Sequence, residues 1–257
     1  MLSRRRLIAA APLALAGCAT RFYENDAPAA PPRLQVQNPG LKPPSGALDI
    51  DAGALMPGDI LLSAANGTTS LGIRLLTLSA VSHASLYVGD SQVAEAVGEG
   101  IRRRRMQQFL DEESTVVAFR HPGVRPDHVQ KMQDFVAETV GQKYNYVGVL
   151  LQAPFSIERR LCELPLTPSL VRDFCLQGVG AIQLGLGRSD RFFCSQFVLE
   201  AYRRAGLPLT TADPRLLSPA DLLHMREGDV PSVRSNQTLN YVGHLKYERL
   251  LDSASRS

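Results

Sequence analysis

The sequence predicts an α+β domain, in which a small antiparallel sheet or half-barrel packs against one amphipathic helix. Three observations predict this class. Short strand-like segments follow one another with tight turns between them, several later segments have helical spacing, and the two kinds are grouped rather than alternating along the chain. This grouping is typical of α+β folds and not of parallel α/β folds.

Nine elements are predicted along the chain. In order, they are a strand near 59–63, a helix at 70–79, strands at 82–88, 92–97 and 115–120, a helix at 126–140, a helix at 194–205, a short helix at 218–225 and a closing strand around 241–249. Gly89, Asp90 and Ser91 separate two of the strands and favour a tight turn, so 82–97 is predicted to form a hairpin.

The helix at 194–205 places a cysteine in its first turn. Apolar residues recur at intervals of three and four from Phe197 onward, Ser189 or Asp190 is suited to cap the start, and Gly206 with Pro208 ends it. Unpaired backbone N–H groups and the helix dipole lower the pKa of a thiol at this position. Cys194 is therefore a candidate nucleophile, although a buried structural cysteine is the more common role of a lone Cys.

The predicted hairpin supplies a base and a carboxylate. His83 lies opposite the region of Glu95 to Val97, and side chains of like parity share one face of the hairpin. A Glu95 carboxylate in reach of the His83 ring would fix its tautomer and stabilise the imidazolium. Glu99 has the same parity and is the alternative. Taken alone, His83 could be a satisfied core histidine and Glu95 a solvated strand residue.

Four segments carry a resemblance to a known family, namely 58–62, 82–90, 93–96 and 193–198. They resemble the circularly permuted papain-fold cysteine hydrolases of the NlpC superfamily, in the YiiX/YaeF-like lipoprotein group, and the likeness spans roughly 55–225. The resemblance implies Cys194 as nucleophile, His83 as base and Glu95 as the orienting residue. The order of His before Cys is the order that the permutation requires.

Residues 1–17 have the pattern of a lipoprotein signal peptide. Arg4, Arg5 and Arg6 precede a short apolar stretch, and Leu-Ala-Gly-Cys ends at Cys18. We expect the mature protein to begin at a lipidated Cys18 and to be anchored by acyl chains, because the stretch is too short to span a bilayer. An ordinary secretory signal is the alternative. Ser3-Arg4-Arg5 also resembles a twin-arginine export signal.

The remaining chain is predicted to be a tether and one domain. Ala19 follows the lipidated residue, which by resemblance to bacterial lipoproteins favours the periplasmic face of the outer membrane. Residues 18–48 contain a Pro- and Ala-rich stretch and are predicted to form an extended tether. Residues 49–257 then form a single domain with an apolar insertion at 151–190, which is either a lid or wall of the substrate pocket or a peripheral helical hairpin.

Charge gives no support for a nucleic-acid partner. The chain has 28 Lys and Arg against 25 Asp and Glu, and removal of the three arginines at 4–6 with the signal leaves 25 of each. The run of four arginines at 102–105 is expected to be a solvated face, and contact with anionic glycan or lipid headgroups is the alternative.

The four cysteines indicate an oxidising compartment. Once Cys18 is assigned to lipid and Cys194 to catalysis, Cys162 and Cys175 remain, and we predict a disulfide between them. The five histidines and the cysteines show no paired spacing of the zinc type, so neither a metal nor a cofactor is expected.

These observations predict a lipid-anchored periplasmic hydrolase. Cys194 would attack an amide or ester carbonyl while His83 transfers the proton, and the oxyanion would meet the Cys194 backbone N–H and a second donor, for which Tyr87 and Tyr144 are the candidates. The compartment and the superfamily favour a peptidoglycan stem peptide as substrate. An acyltransferase or lipid amidase/esterase acting on an acylated small molecule is the first alternative, and a non-catalytic binding lipoprotein is the second.

Overall fold

The computed structural model describes residues 19–23, 33–41, 46–65, 79–98, 100–141 and 194–247. Within them, six strands form one antiparallel sheet in the order β6-β5-β4-β3-β7-β8. Its strands are β3 (Ile60–Ala65), β4 (His83–Gly89), β5 (Gln92–Val97), β6 (Gly100–Arg105), β7 (Glu113–Arg120) and β8 (Asn240–Tyr247). Two further strands, β1 (Thr20–Tyr23) and β2 (Arg33–Val36), pair with each other in a separate small sheet.

The helices are α1 (Met106–Glu112), α2 (Pro126–Thr139), α3 (Cys194–Ala205) and α4 (Pro219–Leu223), with short 3-10 turns at Ala52–Ala54 and Pro214–Leu216. None of the helices in the described ranges is both long and apolar enough to cross a membrane.

The two faces of the sheet carry two apolar clusters. Alternate residues of the central strands, among them Leu62 and Leu86, pack with α2 and α3 through Phe135 and Phe197. The intervening residues face the other way and pack under α1, whose Met106 and Phe109 are buried there; they include Leu61, Tyr87, Val93 and Val116. This two-residue periodicity is what a pleated strand buried on both faces requires.

The predicted α+β class is confirmed. The strands predicted at 59–63, 82–88, 92–97, 115–120 and 241–249 and the helices predicted at 126–140, 194–205 and 218–225 are all present, with ends that differ by up to two residues. The hairpin turn is tight as expected, since Asp90 and Ser91 both adopt positive φ. The helix α1 and the strands β1, β2 and β6 are not among the nine predicted elements, and the helix expected at 70–79 lies almost wholly outside the described residues.

Part of the predicted tether lies against the domain. Gln37 is buried and donates a hydrogen bond to the Val230 carbonyl at 2.8 Å, and the Asn38 N–H donates to Asp229 Oδ1, also at 2.8 Å. The Arg226 side chain donates to the Asn38 carbonyl at 2.7 Å. These contacts hold 37–38 on the domain rather than in an extended linker, while the boundaries at residues 17 and 48 stay predictions.

Candidate active site

The helix α3 is hydrogen-bonded to its surroundings near both of its ends. Cys194 is buried at its start, and the neighbouring Ser195 hydroxyl donates a hydrogen bond to the Leu217 carbonyl. Two turns later the buried Tyr202 hydroxyl donates to the Gly58 carbonyl, next to β3. Gly206, with φ of 89°, ends the helix as its sequence predicts. Cys194 therefore has a defined position relative to the sheet.

His83 is the first residue of β4 and contacts the predicted carboxylate. Its Nε2 lies 2.8 Å from Glu95 Oε2 on the adjacent β5, and the Glu95 side chain is fully buried. The strand register pairs Leu86 with Ala94, so its continuation places Glu95 opposite Ser85, diagonal to His83. The contact predicted from side-chain parity is thus confirmed. Glu99, the alternative carboxylate, lies outside the described residues.

Cys194 and His83 shift each other's protonation. Burial alone would raise the pKa of the Cys194 thiol, but a hydrogen bond with His83, its positive charge and the backbone N–H groups of Ala84 and Ser195 lower it. Burial alone would lower the pKa of His83, but hydrogen bonds with Cys194 and Glu95 and their negative charges raise it to about 10. The pair therefore favours the thiolate and imidazolium forms. Since Nε2 faces Glu95, Nδ1 is the ring nitrogen left for the thiol.

Two arginines of β6 hold the Glu95 carboxylate. Arg102 Nε donates to Glu95 Oε1 at 2.9 Å, and Arg104 Nη2 donates to Oε2 at 3.3 Å. Burial would raise the pKa of Glu95, but the hydrogen bond and charge of His83, the charge of Arg104 and the hydrogen bond from Arg102 lower it to about 2. Glu95 is thus ionised at any pH at which the protein would work.

The interpretation of 102–105 as a solvated face is wrong for two of its four residues. Arg103 and Arg105 are exposed, whereas the Arg104 side chain is only 8% exposed and Arg102 is half-buried. The register pairs Arg102 directly with Glu95, so alternate arginines point to the carboxylate. One signal in the sequence could have found this: a two-residue loop between Val97 and Gly100 sets that register.

The charge network continues from Glu95 to the far end of α1. Arg104 pairs with Glu112, and its Nη2 lies 3.5 Å from Glu113 Oε1. The Arg104 guanidinium also stacks over the Phe109 ring at 4.8 Å. Burial raises the pKa of Glu113, whereas the pKa of Glu95 in the same network is lowered.

Tyr87 does not lie where an oxyanion donor is needed. It comes four residues after His83 on β4, which corresponds to about 13 Å along an extended strand. Its hydroxyl accepts a hydrogen bond from the Ser91 N–H at the hairpin turn, and its ring packs under α1. The prediction for Tyr87 is therefore wrong.

The other predicted site residues lie outside the described part of the chain: Cys18, Tyr144, Cys162 and Cys175. Lipidation, the second oxyanion donor and the disulfide stay predictions. In the described ranges no group of three or more His, Cys, Asp or Glu side chains is placed to hold a metal ion.

Comparison with known proteins identifies a relative. No family model matches the chain. The probable lipoprotein peptidase YaeF of Escherichia coli (strain K12) is 38% identical over 201 residues, which cover 77% of this chain and 73% of the relative. Among solved structures, the metalloprotein YiiX of Escherichia coli O157:H7 is similar, at 17% identity and a TM-score of 0.44, over 75% of this chain and 98% of that one. At its identity and coverage with YaeF, the chain belongs to the YaeF-like family.

Proposed function

We propose that this protein is a lipid-anchored cysteine hydrolase of the bacterial cell envelope that cleaves an amide bond. The observation that carries the proposal is the chain of contacts from Cys194 to His83 to Glu95, with a lowered thiol pKa at one end and an ionised carboxylate at the other. A nucleophile, a base and a group that orients the base are the minimum for acyl transfer through a thioester.

The reaction follows from the protonation states. The Cys194 thiolate attacks the carbonyl carbon, and the oxyanion meets the Cys194 backbone N–H at the start of α3. The His83 imidazolium then donates its Nδ1 proton to the leaving amine, and a thioester remains on Cys194. His83 next removes a proton from water, whose oxygen attacks the thioester and releases the acid and the thiolate. Glu95 stabilises the imidazolium throughout and is not protonated itself. This chemistry needs side chains and water alone.

A permuted papain-like fold of the NlpC superfamily is part of the same proposal. The antiparallel sheet packed against the cysteine helix, and the order of His before Cys, support it. The name of the relative, a probable lipoprotein peptidase, supports both amide cleavage and a lipid anchor, which we place at Cys18 on the periplasmic face of the outer membrane. In that compartment a peptidoglycan stem peptide is the substrate we favour.

A second candidate is an acyltransferase or lipid amidase/esterase with the same nucleophile. The composition of 151–175 favours it, because this segment contains many leucine and phenylalanine residues that would suit an acyl chain. A binding lipoprotein without turnover is the third candidate, and the lowered pKa of Cys194 argues against it, since binding alone has no need of a thiolate.

The experiment that separates these functions is incubation with defined substrates and mass analysis of the products. Purified peptidoglycan, phospholipid vesicles and N-acyl amino acids are each incubated with the wild type and with Cys194→Ala. We expect the wild type alone to release peptide fragments from peptidoglycan, each cleavage adding the mass of one water. Products from the lipid substrates only would support the second candidate. No product from any substrate, with binding retained in Cys194→Ala, would support the third.

A further inference from the structure

The small β1–β2 sheet is fixed to the domain through one of its faces. Gln35 Nε2 donates to the Gly228 carbonyl at 2.6 Å, and Gln37 Nε2 donates to the Val230 carbonyl at 2.8 Å and to Ser232 Oγ at 2.9 Å. Because successive side chains of a strand point to opposite sides, Val36 between these glutamines and Leu34 before them face away from the domain.

The chain is also fixed immediately after the predicted lipidation site. Ala19 is 1% exposed, its N–H donates to Gln37 Oε1 at 3.4 Å, and its carbonyl accepts from the Gln37 N–H at 2.9 Å. Ala19 directly follows Cys18 in the chain, and consecutive Cα atoms are about 3.8 Å apart, so an anchor at Cys18 would adjoin a buried residue of the domain. Among the described residues, the chain is therefore fixed on the domain from the first residue after the predicted lipidation site.

The outward face of β2 is apolar at this point. Leu34 is 48% exposed and Val36 is 39% exposed, and Val36 lies opposite Thr20 in the register, two residues from Cys18. Arg33 at the start of the strand is exposed as well. Two exposed aliphatic side chains and a cation, next to an acylated residue, match the boundary between lipid headgroups and acyl chains.

We propose that the outward face of the β1–β2 sheet, with Leu34 and Val36, lies on the phospholipid surface and fixes the orientation of the domain on its membrane. The proposal rests on the lipid anchor at Cys18 that is part of the proposed function. A bilayer is the occupant because acyl chains on Cys18 must enter it within a few ångströms of Ala19, and so bring Val36 to the same surface. The active site would then face its substrate at a set angle instead of rotating on a tether.

The absence of tryptophan from all 257 residues makes a direct test simple. Leu34→Trp and Val36→Trp each introduce one reporter on the proposed contact face. Val140→Trp is the matched control, because Val140 is similarly exposed at 45% but its neighbour Gly141 bonds Ile101 of β6, whereas the β1–β2 sheet is held by Gly228 and Val230. Each variant is expressed as the full acylated chain and reconstituted in phospholipid vesicles with and without brominated acyl chains.

We expect brominated lipid to quench roughly half of the tryptophan emission of Leu34→Trp and Val36→Trp, because a side chain at the lipid surface contacts the brominated acyl chains. The emission of Val140→Trp should not change. Flotation of the vesicles establishes anchoring separately. A protein that floats with the vesicles but shows no quenching at 34 or 36 keeps its anchor and overturns the surface contact. In that case a second copy of the chain or another protein would cover the outward face of the β1–β2 sheet. A protein that does not float refutes the anchor, and with it this inference.

Discussion

The two faces of the sheet differ in what they bury. The face under α2 and α3 is built from aliphatic and aromatic side chains, among them Leu62, Leu86 and Phe197. The face under α1 has a similar apolar cluster but also buries Glu95, with Arg104 and Glu113 nearby. The two faces therefore have different roles at the site. The apolar face fixes the position of the Cys194 sulfur, and the charged face sets the protonation of His83. Substitutions on the two faces should therefore have separable effects.

The largest effect is expected at Cys194, the proposed nucleophile. Cys194→Ala removes the thiolate but creates neither a buried charge nor a large cavity, so the turnover should fall by roughly 10⁴- to 10⁶-fold while the fold is kept. Rates of amide hydrolysis and the thermal midpoint are the measurements. Arg203→Gln is the control, because Arg203 lies on the same helix with a largely exposed side chain that pairs with Glu200, so its loss should leave most of the activity. Near wild-type turnover in Cys194→Ala would show that Cys194 is not the nucleophile.

The next effect is expected on the charged face. Glu95→Gln keeps a hydrogen bond to His83 but removes the charge that stabilises the imidazolium, so kcat should fall by roughly 10²- to 10³-fold, less than for His83→Ala. Glu99→Gln is the control, with the same change of charge four residues away. If Glu99→Gln is the damaging variant, the orienting carboxylate is Glu99.

The third effect is expected at Arg104, whose buried ion pairs contribute to stability. Arg104→Gln leaves Glu95 with one arginine fewer and Glu113 without its ion pair, so the free energy of unfolding should fall by about 3 kcal/mol, as when one partner of a buried pair is removed. Arg103→Gln, at an exposed neighbour in the same strand, should change it by less than about 0.5 kcal/mol. Denaturant unfolding measures both. Equal losses in the two variants would contradict the inward position of Arg104.

The smallest effect is expected in the acid dependence of stability. The pKa of Glu95 lies at about 2 in the folded protein against 4.5 as its ordinary value, so its contribution is fully present above 4.5 and is lost as the pH falls through the folded value. Between these pH values the wild type should lose up to about 2 kcal/mol more than Glu95→Gln, which has no carboxylate to protonate there, because solvent partly screens the charges of His83 and Arg102. Glu99→Gln should follow the wild type. Parallel curves for the wild type and Glu95→Gln would show that Glu95 is not held ionised.

Much of the site could be predicted from the sequence because it depends on short-range regularities. Cys194 follows from helical spacing, and the His83–Glu95 contact follows from parity across a tight hairpin. Both signals are local, since a helix turn and a two-residue turn leave the chain few geometries.

The roles of Arg102 and Arg104 were missed for a physical reason. Alternation reveals the buried face of a strand only when the two faces carry different residue types, and four consecutive arginines have no such contrast. The docking of 33–38 was missed because the Pro- and Ala-rich composition around it suggested a linker. Its own alternation of Leu34, Gln35, Val36 and Gln37 is nevertheless typical of a strand.

The separation of the three site residues along the chain has a consequence for synthesis and export. His83 and Glu95 are 12 residues apart in one hairpin, whereas Cys194 comes about 110 residues later. Closing a loop of that length costs entropy before it brings any contact, so the hairpin is expected to form early and the cysteine helix to dock late. An unfinished chain would then carry an ordinary, weakly reactive thiol. If the proposed function holds, the activated thiolate would arise only once folding is complete, which would protect the cell from premature reaction of the thiol.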